Sequence, residues 1–434
     1  MSSLTATDRP VRARCAVAAL FFTNGFLFAN VVPRYPEIKS DLGLSNAALG
    51  TAIAAMPLGA LVLGLAASPL IKRYGSARTA VVSQLLMGFN ILLVGTAPNF
   101  AVLCLGLFLA GSLDAITDVA MNAHGLRVQR RYGRSILNSF HGLWSVGAVV
   151  GGIAGAGAAQ LGLSLAVHLA IVGALTVGSA LTSSRFLLPG PEDAERAPGN
   201  GADGTEGTNG AAGADGAAGR RSWLRRPVLM AFALLGLITA ATAVIEDAPA
   251  SWGSNYLQNE LGSSPFIGGM AFMALQGTQT VARLLGDRVV HRLGDRATAR
   301  IGGLLVLVGM GVALLWPSVP TTVLGFGLCG IGIATIIPAA FHAADEIPGL
   351  WPGAGITVAA FLLRVGFLVS PPVIGLIADA ESIRLGLVLV PVAGLALLAT
   401  SGILDTRRTD DPVHGGDTGS EAGTGTDSAA ARAR

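Results

Sequence analysis

Charge is scarce in this sequence. Only 13% of its 434 residues are Asp, Glu, Lys or Arg, where a soluble domain carries about a quarter. Lysine is nearly absent, so the basic charge is arginine, and aromatic residues make up just 6%. The three cysteines, Cys15, Cys104 and Cys329, each lie in or beside an apolar run without ligand spacing. Neither a disulfide framework nor a metal site is indicated. No phosphate-cradling G-x-x-x-x-G-K-[ST] occurs, so the chain encodes no ATP motor. No His/Asp metal cluster and no nucleophile with a nearby base points to an enzyme, and no cofactor is expected. The net charge of +3 is too modest to signal nucleic-acid binding.

What fills the chain is apolar. It is 52% hydrophobic with 59 glycines, and its mean hydropathy is +0.61. The apolar runs are near the ~20 residues a helix needs to cross a bilayer core. Small residues let helix backbones approach closely in lipid. We therefore expect an all-α membrane protein with twelve transmembrane helices in two six-helix repeats. Apolar runs read against turn signals place helices at roughly 13–33, 46–70, 77–96, 99–125, 138–159 and 163–187. A second set falls at roughly 228–250, 265–287, 298–316, 319–343, 354–378 and 385–403. The first run follows Arg9, Arg12 and Arg14 as a signal peptide would, but Asn24 and Asn30 interrupt it and no small-residue cleavage site follows.

Four regions result: a first helical half at 1–188, a linker at 189–226, a second half at 227–404 and a tail at 405–434. The linker and tail hold few large apolar residues, and both are expected to be disordered. Arginines set an orientation. They cluster before helix 1, after helices 2, 4, 8 and 12, and at the end of the linker, while the alternate loops hold only Arg34, Lys39 and Arg384. Both termini and the linker are expected in the cytoplasm, which requires an even number of spans.

The sequence also repeats. DLGLSNAALG from Asp41 aligns with ELGSSPFIGG from Glu260, with an offset of 261 − 42 = 219 between Leu261 and Leu42. Carried on without a gap, the same offset places Arg73 and Gly75 on Arg292 and Gly294. Two parallel repeats around a linker are the architecture of a rocking transporter.

At these residues the chain resembles the major facilitator superfamily over nearly all of its helical length. The family's G-x-L-x-D-R-x-G-R-type loop reads here from Ser68 to Ser76, with Ser68 for the first Gly and Lys72 for the acidic residue. The gating salt bridge assigned to that acid therefore cannot form in its usual way. The second copy keeps Arg292 and Gly294, with Asp287 a turn earlier. A narrower likeness joins Asp118, Asn122, Gly133, Arg134, His141, Trp144, Ser145 and Gly147. That run is similar to the YbjJ/MosC-like branch, itself distantly related to the fucose-proton symporters. In helix 7 that branch often shows Glu-Gly and then Asp-Trp; this chain has Glu246-Asp247 and Ser251-Trp252. The resemblance implies a monomeric, lipid-embedded secondary transporter of the cytoplasmic membrane, moving a small solute with protons. Drug antiporters of the superfamily carry a Gly-Pro pair in helix 5, and here that helix has glycines but no proline. Symport of a sugar-like or polar solute is slightly favoured. Proton-driven export of a drug or metabolite, and a non-transporting membrane sensor, are the alternatives.

Charged residues within the spans are the candidate sites, because each costs at least ~2.5–3.5 kcal/mol at mid-membrane. Asp114, Asp118 and Asn122 step by four along helix 4 and share a face. They line a cavity, or Asp118 and Asn122 brace the helix end against arginines. His141 and Trp144 open helix 5. Glu246 and Asp247 fall near the outer end of helix 7, as a solute or proton site or as an interfacial pair beside Trp252. Arg364 lies about ten residues into helix 11, too deep to reach water along its own stem. It pairs with a carboxylate or binds an anionic group of the solute. Arg283 and Asp287, at i and i+4 on helix 8, can pair along one face. With Arg73, Gly75, Arg292 and Gly294 they are assigned to gating.

Overall fold

The computed structural model describes residues 8–190, 226–347 and 353–404. Most of the expected linker and the whole expected tail lie outside the described residues. Twelve long helices run α1 (Pro10–Asp41), α2 (Asn46–Tyr74), α3 (Ser76–Gly95), α4 (Phe100–Tyr132), α5 (Leu137–Gln160) and α6 (Leu165–Ser184). Then come α7 (Arg226–Gly253), α8 (Pro265–Leu293), α9 (Asp295–Leu315), α10 (Val319–Asp345), α11 (Ala354–Ala380) and α12 (Ile383–Ile403). Eleven are long and apolar enough to cross a membrane. The exception, α8, is long enough at 29 residues. Its apolarity is diluted by Gln276, Gln279, Arg283 and Asp287, of which the first lines an internal cavity.

The helices alternate in direction, giving the bundle two ends. The basal end holds the start of α1 and the end of α12; the apical end holds the α1–α2 turn. Every helix that starts at the apical end opens on a side-chain cap: Ser45, Asn99, Ser164, Ser264, Ser318 and Ser382. A cap of this kind satisfies one of the free N–H groups of the first turn. The caps reproduce the repeat, since 264 − 45 = 219 and 318 − 99 = 219. The third pair has slipped by one, 382 − 164 = 218. At the basal turns the match extends to dihedrals. Gly75 has φ 85° and ψ 153°, and Gly294 has φ 82° and ψ 161°. A side chain is strained in that region of the backbone map, so the glycine match found in the sequence marks a shared turn.

Within the first set, α1 and α5 pack backbone to backbone. A Cβ on Gly147, Gly151 or Gly155 would strike the carbonyls of Phe22, Phe26 and Asn30 in turn. The glycine stripe of helix 5 is thereby accounted for by packing.

The two sets meet at the apical end. Asp379 of α11 accepts hydrogen bonds from the Asn46 and Ala47 amides of α2, at 2.7 and 2.8 Å. Gln160 of α5 accepts from the Phe266 amide of α8 at 3.3 Å. Gly50 and Gly375 let α2 and α11 touch, and Phe28 meets Phe272 edge-on at 6.1 Å. Toward the basal end, Asp118, His141, Arg283 and Arg364 stay exposed. The bundle is closed above and open below.

Two helices outrun their sequence-based limits in ways that matter. Helix 4 continues to Tyr132, so Arg127, Arg130 and Arg131 are helical and not in a loop. Helix 7 continues past its expected end through π-helical turns at Pro249–Gly253 and Tyr256–Glu260.

Candidate functional site

Between the two sets lies a cavity of about 320 Å³. Asp114 of α4, Trp144 of α5, Glu246 and Asp247 of α7 and Arg364 of α11 all line it. Five of the residues chosen from sequence thus converge from four helices and both halves. Aromatic side chains form much of the remaining wall: Phe28, Tyr35, Phe272 and Phe367.

In the first half the polar residues hold one another. Asn24 of α1 donates from Nδ2 to Asp114 Oδ1 at 2.9 Å, and Trp144 Nε1 donates to Asn24 Oδ1 at 2.7 Å. One amide thereby fixes a carboxylate and an indole on three helices. Basal to it, Asn122 Nδ2 donates to Asp118 Oδ1 at 3.0 Å, and His141 Nε2 lies 3.0 Å from Asn122 Oδ1. Since that amide oxygen is an acceptor, the imidazole must donate from Nε2. Asp118, Asn122 and His141 sit below the cavity wall and lead from it toward the basal opening. The alternative of a brace against arginines is not what forms: the partners are Asn122 and His141.

In the second half the carboxylates are held differently. Glu246 Oε1 accepts from Gln279 Nε2 at 3.1 Å and faces the Arg283 guanidinium at 3.7 Å. Asp247 Oδ1 accepts from Ser251 Oγ at 2.7 Å. Its buried Oδ2 has no protein partner, although the Ser370 hydroxyl comes near the carboxyl group. Arg364 makes neither a hydrogen bond nor an ion pair with any described residue. It is exposed into the cavity.

Four expectations change. Glu246 and Asp247 are not at an outer mouth: because α7 runs on to Glu260, they fall within the span beside the cavity. Trp252 is completely buried and cannot anchor at an interface. Arg283 reaches Glu246 at 3.7 Å and forms no ion pair with Asp287, the cation-before-anion order at i and i+4 being the weaker one on a helix. The permanent ion pair considered for Arg364 is also absent among the described residues. Of the gating set, Gly75 and Gly294 form the matched basal turns, and the Arg73 guanidinium rests over the Tyr74 ring at 5.4 Å. Asp287 and Arg292 are exposed near the second turn.

Sequence reading missed Gln279, the nearest hydrogen-bond partner of Glu246. A signal existed, because Gln276, Gln279 and Arg283 recur at i, i+3 and i+7, one polar stripe on a helix face. It also took Arg34 for a loop charge. Arg34 is buried, bonded to Glu37 Oε2 and Oε1 at 2.6 and 2.8 Å and to the Leu163 carbonyl at 2.7 Å. His168 completes this apical cluster, 3.3 Å from Arg34 and 3.0 Å from Asn30.

Comparison with known proteins follows the same lines. The family model described as Major Facilitator Superfamily matches residues 17–349. A Sinorhizobium fredii protein named "Uncharacterized transporter y4wD" is 30% identical over 85% of this chain and 92% of its own. "Membrane protein MosC" of Rhizobium meliloti is 28% identical over 92% of this chain and 91% of its own. Among solved structures, the nucleoside transporter NupG superposes with a TM-score of 0.71 at 11% identity, covering 90% of this chain and 98% of that one. A bacterial homologue of the lysosomal transporter Spinster gives 0.68 at 15% identity, covering 92% and 98%. These two likenesses speak to the fold.

Proposed function

Because this chain belongs to the major facilitator superfamily, we propose that it is a proton-coupled symporter of a small polar solute, working by alternating access. The observation that carries this reading is the convergence of Asp114, Trp144, Glu246, Asp247 and Arg364 on one cavity between the two halves. Intramembrane charges are costly unless they serve a cavity or a partner, and here they serve both. The arginine bias supports assigning the basal end to the cytoplasmic side, and on that assignment this is the inward-open state of a carrier that works as a monomer in the cytoplasmic membrane. Rocking the halves about the cavity closes the basal end and opens the apical contacts of Asp379 and Gln160.

At about 320 Å³ the cavity is at the small end of ligand pockets, which run from ~300 to 1,000 Å³. It suits a solute of monosaccharide size. Gln276 and the carboxylates supply partners for hydroxyl groups, and the aromatic wall supplies apolar faces. The carboxylates are the groups able to carry a proton with the solute. Residues 189–226 link the halves and 405–434 form a tail in this scheme.

The test is uptake into proteoliposomes of a solute found by thermal-shift screening of the purified protein. An inward proton gradient should drive accumulation, and Glu246→Gln should lower it more than tenfold. Uptake indifferent to the gradient, with Asp118→Asn and Glu246→Gln both unaffected, would defeat proton coupling. A solute that binds without counterflow would instead favour the sensor.

A further inference from the structure

We infer that the solute is a ring-bearing monocarboxylic acid whose carboxylate docks on Arg364, and that Asp118 takes its place on Arg364 when the carrier is empty. This rests on the transport reading above and names the substrate class of the same cavity.

Arg364 is the cavity's free cation among the described residues. Glu246 is engaged by Gln279 and Arg283, Asp114 by Asn24, and Asp247 by Ser251. In the basally open state water reaches the guanidinium. When the basal end closes, that water is lost, and a buried unpaired guanidinium is prohibitively costly. An anion must then meet it. Asp118 is the protein group placed to do so in the empty carrier: it lies one helical turn basal to the cavity-lining Asp114, is exposed toward the basal opening, and is held by Asn122 with no ion pair among the described residues. The groups facing Asp118 are Asp114 and Asn122 on α4, His141 on α5 and Arg364 on α11. With solute present, the solute's carboxylate occupies the guanidinium and a proton on Asp118 keeps the pair neutral. Loaded and empty carriers then cross with the same charge, which couples one proton to one anion.

The anion is a carboxylate rather than a phosphate because the surroundings are acidic. A second negative charge would face Asp114, Glu246 and Asp247 with no second free cation. Guanidinium and carboxylate also match as a two-pronged pair. The ring follows from the aromatic faces of Phe28, Trp144, Phe272 and Phe367 on the wall.

The experiment measures thermal shift and intrinsic fluorescence of the full chain in detergent with matched probes: D-glucuronate against D-glucose, quinate against myo-inositol, and benzoate against benzyl alcohol. At least one acid should bind saturably while its neutral partner does not. Arg364→Gln should weaken that acid at least tenfold and Arg364→Lys less, while Asp118→Asn should leave it as tight or tighter. Equal binding of acid and neutral partner, unchanged acid affinity in Arg364→Gln, or no acid bound by folded protein overturns the inference. Counterflow of a neutral sugar with no acid binding also overturns it and leaves the transport reading standing. Acid binding through Arg364 without counterflow supports the anion site and removes the transport reading.

Discussion

The two halves share a backbone plan and treat their buried polar groups in opposite ways. In the first half, Asn24, Asp114 and Trp144 close on one another, as do Arg34, Glu37, Asn30 and His168. Among the described residues, buried side-chain atoms without a protein partner occur there only on Gln84. In the second half they occur on Asp247, Trp252, Asn255, Tyr256, Gln258, Gln279, Thr322 and Ser370. Five of these lie on or beside the π-helical turns of α7, a feature concentrated at functional sites in other helices. Leaving such a group unpaired costs ~1–3 kcal/mol, so water or a rearranged α7 must supply what is missing. The first half is a preorganised wall, and the second is the half with partners to exchange.

Substitutions can break or sharpen that contrast. The largest stability effect is expected from Arg34→Ala, which leaves Glu37 and His168 without their shared cation. A loss of about 2–4 kcal/mol should appear as a drop of several degrees in thermal midpoint, whatever the solute. Next comes Asn24→Ala, which frees Asp114 and the Trp144 indole together. Transport should fall at least tenfold with a stability loss of about 1–2 kcal/mol. Ser251→Ala, releasing only one oxygen of Asp247, should cost less on both readouts. The smallest effect is a matched pair. Thr117 Oγ1 lies 2.7 Å from Ser83 Oγ and 2.7 Å from the Leu113 carbonyl, whereas buried Thr322 Oγ1 has no partner in hydrogen-bond geometry. Thr117→Val should cost about 1 kcal/mol and Thr322→Val roughly nothing. Equal losses would show that the halves are equally well satisfied and remove the contrast.

Much of the scaffold was legible in the sequence because it depends on local rules. Apolar length located the helices, and arginine bias separated the two ends. The 219-residue offset found through Gly75 and Gly294 reappears in their dihedrals. Depth and partnership were less legible. Glu246 looked peripheral because Pro249 and the polar residues after it resemble a helix end, whereas π-helical turns carry the helix on to Glu260. Arg283 looked paired along its own helix because spacing reports only one helix at a time. Its partner arrives from α7, and helical period carries no information about that neighbour. For the same reason the sequence could raise two fates for Arg364 without choosing between them.

The most direct measurement compares two fluxes of Asp118→Asn in proteoliposomes, using a carboxylate solute that binds through Arg364. Counterflow involves only the loaded carrier, which stays neutral in this variant. Net uptake driven by a proton gradient also needs the empty carrier to return, and there Arg364 would lack its anion. Counterflow should stay near that of the unaltered protein, with net uptake reduced more than tenfold. Net uptake that survives alongside counterflow, or counterflow lost in a variant that still folds and binds the acid, would contradict it.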